Sequence, residues 1–428
     1  MQQAVNALMP KSSGTKNHLL FIDSVRALAA VYVVLNHAVV QYYDSSVNSL
    51  LTGPGNHLSG IKKISIVMLS QAHYAVDIFI VLSGFSLMLT VIKNDHFLKG
   101  GTWVFFKRRV IRIIPPYYCA MLLSLILIWF FIGHKTGTHW DVALPVTKAD
   151  IITHLLLIQD FFLSSASRIN HVFWSIAVEF RICLFFPLLV FLWRRKGAAT
   201  TLIIVALISV VCSFILLIIH RYSAEINLSM AGVSPYIILF ALGMLGADMS
   251  FSHNKTPIAA RNFYAAISPK KAAIAVIFYL LLIAIVKYVF KTNDPDANVI
   301  LVKDEIIDVL IGILGAFLLF ACSVHNEENT RPLLFRILYT RPLVFIGSFS
   351  YSLYLIHAPL VQLITQYILA PLQIDNHTKC VLLIVGGIPP IIGVSYLFFW
   401  LFERPFLRLG KKVSIKKVEQ MAITNPAP

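Results

Sequence analysis

Ionisable side chains are costly inside long apolar stretches, so they mark where this chain can do chemistry. In the first such stretch, FIDSVRALAAVYVVLNHA, Arg26 and His37 stand eleven positions apart. At 100° per residue that is three turns plus about 20°, which places both on one helical face, about 16 Å apart along the axis. A guanidinium near one end of the stripe suits an anion, and an imidazole deeper along it suits a base that titrates near neutrality. His73 and Asp77 in HYAVDIFIVLSGF are at i and i+4, where a carboxylate can orient or charge-balance an imidazole. FFKRRVIRIIPPYY crowds Arg108, Arg109 and Arg112 together, and the last two are one turn apart, as forked phosphate ligands would be. Glu179 and Arg181 in FWSIAVEFRICLFF are at i and i+2 and do not face one another, so each needs a partner on another helix. GSFSYSLYLIHAPL sets Ser350, Tyr354 and His357 at i, i+4 and i+7 on one face, with Tyr351 off it. Each feature also has an ordinary reading: a snorkelling arginine, a packed histidine, a helix-to-helix hydrogen bond, or basic loops beside a membrane.

The elements that must position these residues are membrane spans. Of 428 residues, 58% are apolar and only 13% charged, with a mean hydropathy of +0.77, which excludes a soluble globular protein. The formal charge of +16 sits in loops and not on one face of a soluble domain, so nucleic acid is not an expected partner. A bilayer core about 30 Å thick needs about 20 apolar residues per helix. Such runs fall at roughly 19 to 42, 64 to 92, 113 to 133, 174 to 193, 199 to 220, 234 to 250, 272 to 290, 306 to 324, 343 to 369 and 380 to 402. The fold class is therefore all-α, a polytopic bundle of about ten spans. The first run is too long for the apolar core of a signal peptide and is retained as a span. With the N-terminus inside, 25 Lys and Arg fall in the inner loops and 10 in the outer ones, which orients both termini toward the cytoplasm. The domain boundaries are a cytoplasmic tail at 1–18, one membrane domain at 19–408, and a basic, disordered cytoplasmic tail at 409–428. The segment IITHLLLIQDFF, between the third and fourth spans, is too short to cross; it lies along the interface or re-enters. Gly386, Gly387, Pro389 and Pro390 predict a kink in the last span. The five cysteines lack metal or redox spacing.

Taken in order, these features resemble the acyltransferase-3 family of membrane acyltransferases, over about Leu19 to Arg408. The resemblance rests on Arg26 and His37, on Asp77 before the Ser83-Gly84-Phe85 turn, and on Arg109 and Arg112 before Pro115 and Tyr118. It also rests on the segment holding Trp174, Ser175 and Glu179, on Ser350, Tyr351, Tyr354 and His357, and on the closing Glu403-Arg404-Pro405. Ile176 and Ile80 depart from the usual residues of their motifs. The resemblance implies an acyl-CoA donor, acetyl-CoA in the simplest case, on the cytoplasmic side of a bacterial inner membrane. It also implies a glycan or lipid-linked glycan acceptor at the membrane. No bound cofactor or metal is expected. No SGNH hydrolase-like domain is expected after the last span, which leaves handover to the membrane core or to a separate glycan-handling protein.

In that framework His37 is the base for an acceptor hydroxyl, with Asp77 or Glu179 fixing its tautomer. Arg26, Arg109 and Arg112 hold the donor phosphates. Trp174, Ser175, Ser350, Tyr351, Tyr354 and His357 line the acceptor site or pore. A covalent acyl-His intermediate fits the same residues. The competing class is a transporter or flippase of a glycan or small anion, which would also bury carboxylates and histidines. Only one span, however, is rich in both Gly and Pro. A receptor or scaffold without chemistry is the third class.

Overall fold

A computed structural model describes residues 19–43, 69, 71–223, 225–227, 234–252, 282, 297–324 and 336–410. In chain order the helices are α1 (Leu20–Val40), α2 (His73–Ile92), α3 (Gly101–Ile132), α4 (Lys148–Leu155), α5 (Trp174–Lys196), α6 (Ala198–Tyr222), α7 (Ser234–Phe251), α8 (Ala297–Val324), α9 (Arg341–Gly347), α10 (Ser350–Leu369) and α11 (Asn376–Gly410). The one extended pairing among the described residues is a single bridge between Phe162 and Ile226. Among the described residues eight helices, namely α1, α2, α3, α5, α6, α8, α10 and α11, are long and apolar enough to cross a membrane, while α7 is apolar but shorter. The expected span at 272 to 290 lies outside the described residues, as do 1–18 and 411–428 of the expected tails.

Neighbouring spans pair by matched depth. Arg26 near the start of α1 meets Ser86 near the end of α2, while Asn36 near the end of α1 reaches the Leu69 carbonyl ahead of α2, so the two run antiparallel. Where α2 crosses α7, Gly84 and Gly243 face each other's backbones: a Cβ on Gly84 would sit 2.0 Å from the Phe240 carbonyl oxygen, and one on Gly243 2.0 Å from that of Val81. Without a hydrophobic drive between helices in lipid, such close small-residue contact is a main source of helix association.

The lipid-facing surface is read from exposure. α6 leaves Ile203, Leu207, Val210 and Phe214 uncovered, as a helix on the rim of a bundle must. Trp103 and Trp129 are exposed near opposite ends of α3. They are 26 residues apart, about 39 Å along a straight helix, which matches the aromatic belts at the two faces of a bilayer.

Two boundaries differ from the sequence expectation, and the irregularity expected in the last span takes a specific form. α3 starts twelve residues before the expected 113, so the Arg108 to Arg112 stretch is helical and not a loop. The expected ninth span divides at Ser348 and Phe349 into α9 and α10. There α9 presses onto α1, with the Gly347 Cα so near the Asp23 carbonyl that no Cβ would fit. The expected irregularity in α11 is a wide π turn at Leu383–Gly387. It directly precedes Pro389 and Pro390, whose rings clash with the carbonyl four residues back and which supply no N–H.

The segment between α3 and α5 does not cap the bundle. Thr147 and Asp150 form a reciprocal capping box that starts α4. The Tyr117 and Tyr118 hydroxyls on α3 donate to the carbonyls of His154 and Leu155. Tyr117 is 15 residues before Ile132, about 22 Å back along the helix. IITHLLLIQDFF therefore folds back alongside α3, the re-entrant alternative. Its Asp160 forms a buried ion pair with Arg181 on α5. Arg181 thus finds its partner in a turn of this segment and not on another helix, as its spacing had suggested.

Candidate active site

A cavity of about 110 Å³ opens between α1, α2, α3, α5 and α10, room for several waters. Arg26, Arg109 and Arg112 wall one side of it, together with Glu179. α1 aims Arg26 inward, where it donates to Ser86 at 2.9 Å and pairs with Asp23 at 3.3 Å. The extra helical turns of α3 carry Arg109 and Arg112 to the same place. Glu179 accepts from Ser83 of α2 at 3.2 Å, so its partner is on another helix, as the i, i+2 spacing required. Arg26 is already paired with Asp23, which leaves Arg109 and Arg112 beside Glu179 as the guanidiniums open to an anion in a part-apolar cleft.

Much of the remaining polar lining is hydroxyl. Ser175 and Tyr354 hydrogen bond at 2.7 Å, and the Tyr354 hydroxyl also reaches the Val172 carbonyl. Ser350 and Tyr351 line the cavity as well, the Tyr351 hydroxyl donating to the Ile113 carbonyl at 3.0 Å. Trp174 is placed elsewhere: its ring stacks on that of His73, at 6.1 Å and 13°.

Beyond Tyr354 lies a cluster of imidazoles. The Tyr354 ring is 5.9 Å from His357, and His357 is 5.1 Å from His37. His37 Nδ1 and His171 Nε2 are 3.1 Å apart, and the His139 ring lies 5.9 Å from His37 and 4.8 Å from His171. His357 Nδ1 lies within hydrogen-bond distance of the Leu353 and Tyr354 carbonyls. Carbonyls only accept, so the proton is on Nδ1, and Nε2, buried without a partner, offers a lone pair. Burial and then the neighbouring His139 and His357 hold His171 well below the ordinary histidine range; burial also lowers His139. Both are therefore neutral at pH 7.

Of the expected site residues, the structure gathers Arg26, Arg109, Arg112, Glu179, Ser175, Ser350, Tyr351 and Tyr354 around one cavity, and His357 with His37 beside it. It sets Asp77 apart, in a cluster with His73 and Asp308 whose ligand atoms lie within 4.8 Å of one another. The hydrogen-bond partner of His37 is His171. His139 and His171 were not found from sequence, because both lie in the segment after α3, where no helical period ties a residue to a face. The one signal was the position of His171, three residues ahead of the Trp174 segment. The strain beside it, Ile169 at φ +66°, is invisible to sequence. A β-branched residue there is held by its surroundings, here by a bond from Ile169 N to the Ala143 carbonyl and one from Asn170 to the Leu355 carbonyl.

Comparison with known proteins supplies the family. A family model described as an acyltransferase domain matches residues 19–400. O-acetyltransferase OatA of Staphylococcus aureus strain MRSA252 is 24% identical over 423 residues, 94% of this chain and 60% of that protein. The same protein of strain NCTC 8325 is 24% identical over 408 residues, 91% of this chain and 57% of its own length. The chain thus spans about three fifths of the relatives it matches. No solved structure matches it. The family model covers nearly every element that builds the cavity and the imidazole cluster, and this chain belongs to the acyltransferase-3 family of membrane-embedded acyltransferase domains.

Proposed function

We propose that this protein is an O-acetyltransferase of a bacterial inner membrane, moving acetyl from acetyl-CoA onto a hydroxyl of a cell-envelope or exported glycan. The observation that carries the reading is a run of side-chain contacts: Tyr354, which lines the cleft of three arginines and bonds Ser175, touches His357, and His357 in turn lies against the His37–His171 pair. The arginines, on the cytoplasmic side, take the donor's phosphates, and the pantetheine arm extends the thioester toward His37. The name O-acetyltransferase carried by the S. aureus relatives supports acetyl as the group moved.

The chemistry asks for one tautomer. For His37 to act as base, its Nε2 must be free, so Nδ1–H donates to the His171 Nε2 lone pair. His171 then has the orienting role that the sequence assigned to Asp77 or Glu179, while Glu179 balances charge among the guanidiniums. His37 takes the acceptor hydroxyl's proton as that oxygen attacks the thioester carbonyl. The C–S bond breaks, and the imidazolium returns the proton to the leaving CoA thiolate. In the acyl-His variant Nε2 attacks first and the acceptor hydroxyl then displaces the imidazole.

The test supplies labelled acetyl-CoA and envelope glycan to the purified protein in liposomes. Label on the glycan that disappears with His37→Ala supports the enzyme. Passage of unmodified glycan across the bilayer, without label transfer, would assign the site to transport instead.

A further inference from the structure

We infer that His73, Asp77 and Asp308 form a binding site for a divalent first-row transition metal ion, with Zn²⁺ as the best match. His73 and Asp77 share one face of α2, and Asp308 comes from α8. Their nitrogen and carboxylate atoms all lie within 4.8 Å of one another, and His73 Nε2 is 3.0 Å from Asp308 Oδ1.

What these side chains lack is what points to an ion. Asp77 is fully buried, and neither of its carboxylate oxygens has a hydrogen-bond partner. Asp308 is also buried. Two carboxylates and one imidazole crowded in an apolar wall are strongly unfavourable away from water unless a proton or a cation sits between the carboxylates. A fourth donor group is close by: Tyr236 of α7 is buried with its hydroxyl unpartnered, its ring 6.4 Å from that of His73. A dication bound by His73 and the two carboxylates would neutralise both charges and occupy the orphaned lone pairs together.

The surroundings suit a metal centre. Trp174 lies nearly parallel to His73 at 6.1 Å, which fixes the imidazole plane. The His73 side chain is 38% exposed while the Asp308 side chain is 5% exposed, so an ion has a way in. One imidazole and two carboxylates are a borderline donor set, favouring Zn²⁺, Mn²⁺ or Fe²⁺ over the all-oxygen coordination of Ca²⁺ and Mg²⁺ or the thiolate sites of Cu⁺. Three protein ligands leave a coordination position open for water or the Tyr236 hydroxyl. Bound there, the ion clips α2 to α8. Its binding does not depend on the acyl-transfer reading.

The experiment titrates Zn²⁺ into the full-length protein, purified in detergent and stripped with EDTA, by competition with a chromophoric chelator. Co²⁺ is then used to read the coordination sphere from its visible absorption. One equivalent per chain is expected. Asp308→Asn should weaken binding at least about a hundredfold, since even losing an outer-shell partner typically costs ten- to a hundredfold. Asp77→Asn should behave alike, and the Co²⁺ bands of the intact protein should be those of a four- or five-coordinate ion. If Asp308→Asn proves misfolded by size-exclusion chromatography, the half-exposed His73→Gln carries the test. The neighbouring triad of His37, His139 and His171, whose ring nitrogens also lie within 4.8 Å of one another, is the control. His139→Ala should leave the stoichiometry unchanged; loss of the ion in that variant but not in Asp308→Asn overturns the proposal. Absence of stoichiometric Zn²⁺ binding by the intact protein overturns it too, and leaves Asp77 and Asp308 sharing a proton.

Discussion

The two ends of the buried polar region are built from opposite materials. At one end Arg26, Arg109 and Arg112 surround Glu179, a permanently charged wall. At the other, His37, His139, His171 and His357 pack ring to ring, and among the described residues no carboxylate or guanidinium pairs with His37. Charge that cannot be removed is useful for holding an anion, because it stays fixed whatever happens at the reacting atoms. Neutral imidazoles are useful for moving a proton, because one can gain charge during the reaction and lose it afterwards. Tyr354, hydrogen-bonded to Ser175 and in ring contact with His357, separates the ends. The proposed function divides labour along this line, with binding at the arginines and chemistry at the histidines.

The largest effect that can break this division is at His37. His37→Ala should lower turnover by about 10² to 10⁴-fold, the usual weight of general-base catalysis, while acetyl-CoA binding to the same purified protein stays normal. Near-normal turnover would remove His37 from the chemical step, and lost donor binding would erase the distinction between the ends. At the other end, Arg109→Ala or Arg112→Ala should raise the KM for acetyl-CoA with kcat little changed. One charge-assisted phosphate contact is typically about 1.5 to 3 kcal/mol, or roughly ten- to a hundredfold in affinity. Unchanged saturation in both variants would take the arginines out of the donor site.

A smaller effect tests whether His171 positions His37. His171→Phe should cost about tenfold, the worth of one hydrogen bond, and His171→Gln, whose amide oxygen can accept from His37 Nδ1, should recover part of it. The pH profile adds a readout that packing alone would not move. Burial and the neighbouring imidazoles hold His171 well below the usual range, so it accepts a hydrogen bond at neutral pH. It loses that capacity as pH falls through its depressed value. The acid limb of the rate profile should flatten in His171→Gln, and an unaltered limb would assign it to another group.

The smallest effect on turnover concerns the re-entrant segment. His154 is fully buried, and burial pushes it down to about 4. An unfolded His154 binds a proton from about pH 6.5 downward, while the folded one does not until about 4. Its contribution is therefore fully present above pH 6.5 and is lost as pH falls toward 4, up to roughly 3 kcal/mol over that window. Hydrogen exchange of residues 148–161 should speed up across this range, and His154→Gln should remove the pH dependence. A segment equally protected at pH 5 and pH 7 would show that the His154 site takes up a proton without cost.

Much of this architecture was legible in the sequence because lipid imposes simple rules. Apolar runs of sufficient length must be helices, as α1, α5, α6 and α10 are, since no water is present to satisfy an open backbone. A polar residue on such a helix must face protein, so the 3.6-residue period put Arg26 with His37 and Ser350 with Tyr354 on inward faces. Periodicity reports the face of one helix but not what stands opposite. Asp77 and Glu179 both point inward, yet whether they reach His37, His73 or an arginine depends on how α2, α5 and α8 pack. That decision rests on contacts such as Gly84 against Phe240 and Gly243 against Val81. The histidines that complete the His37 cluster lie on a segment without a period. Only its fold back along α3, fixed by Tyr117, Tyr118 and the Asp160–Arg181 pair, carries His139 and His171 to His37, the imidazole the sequence had assigned as the base.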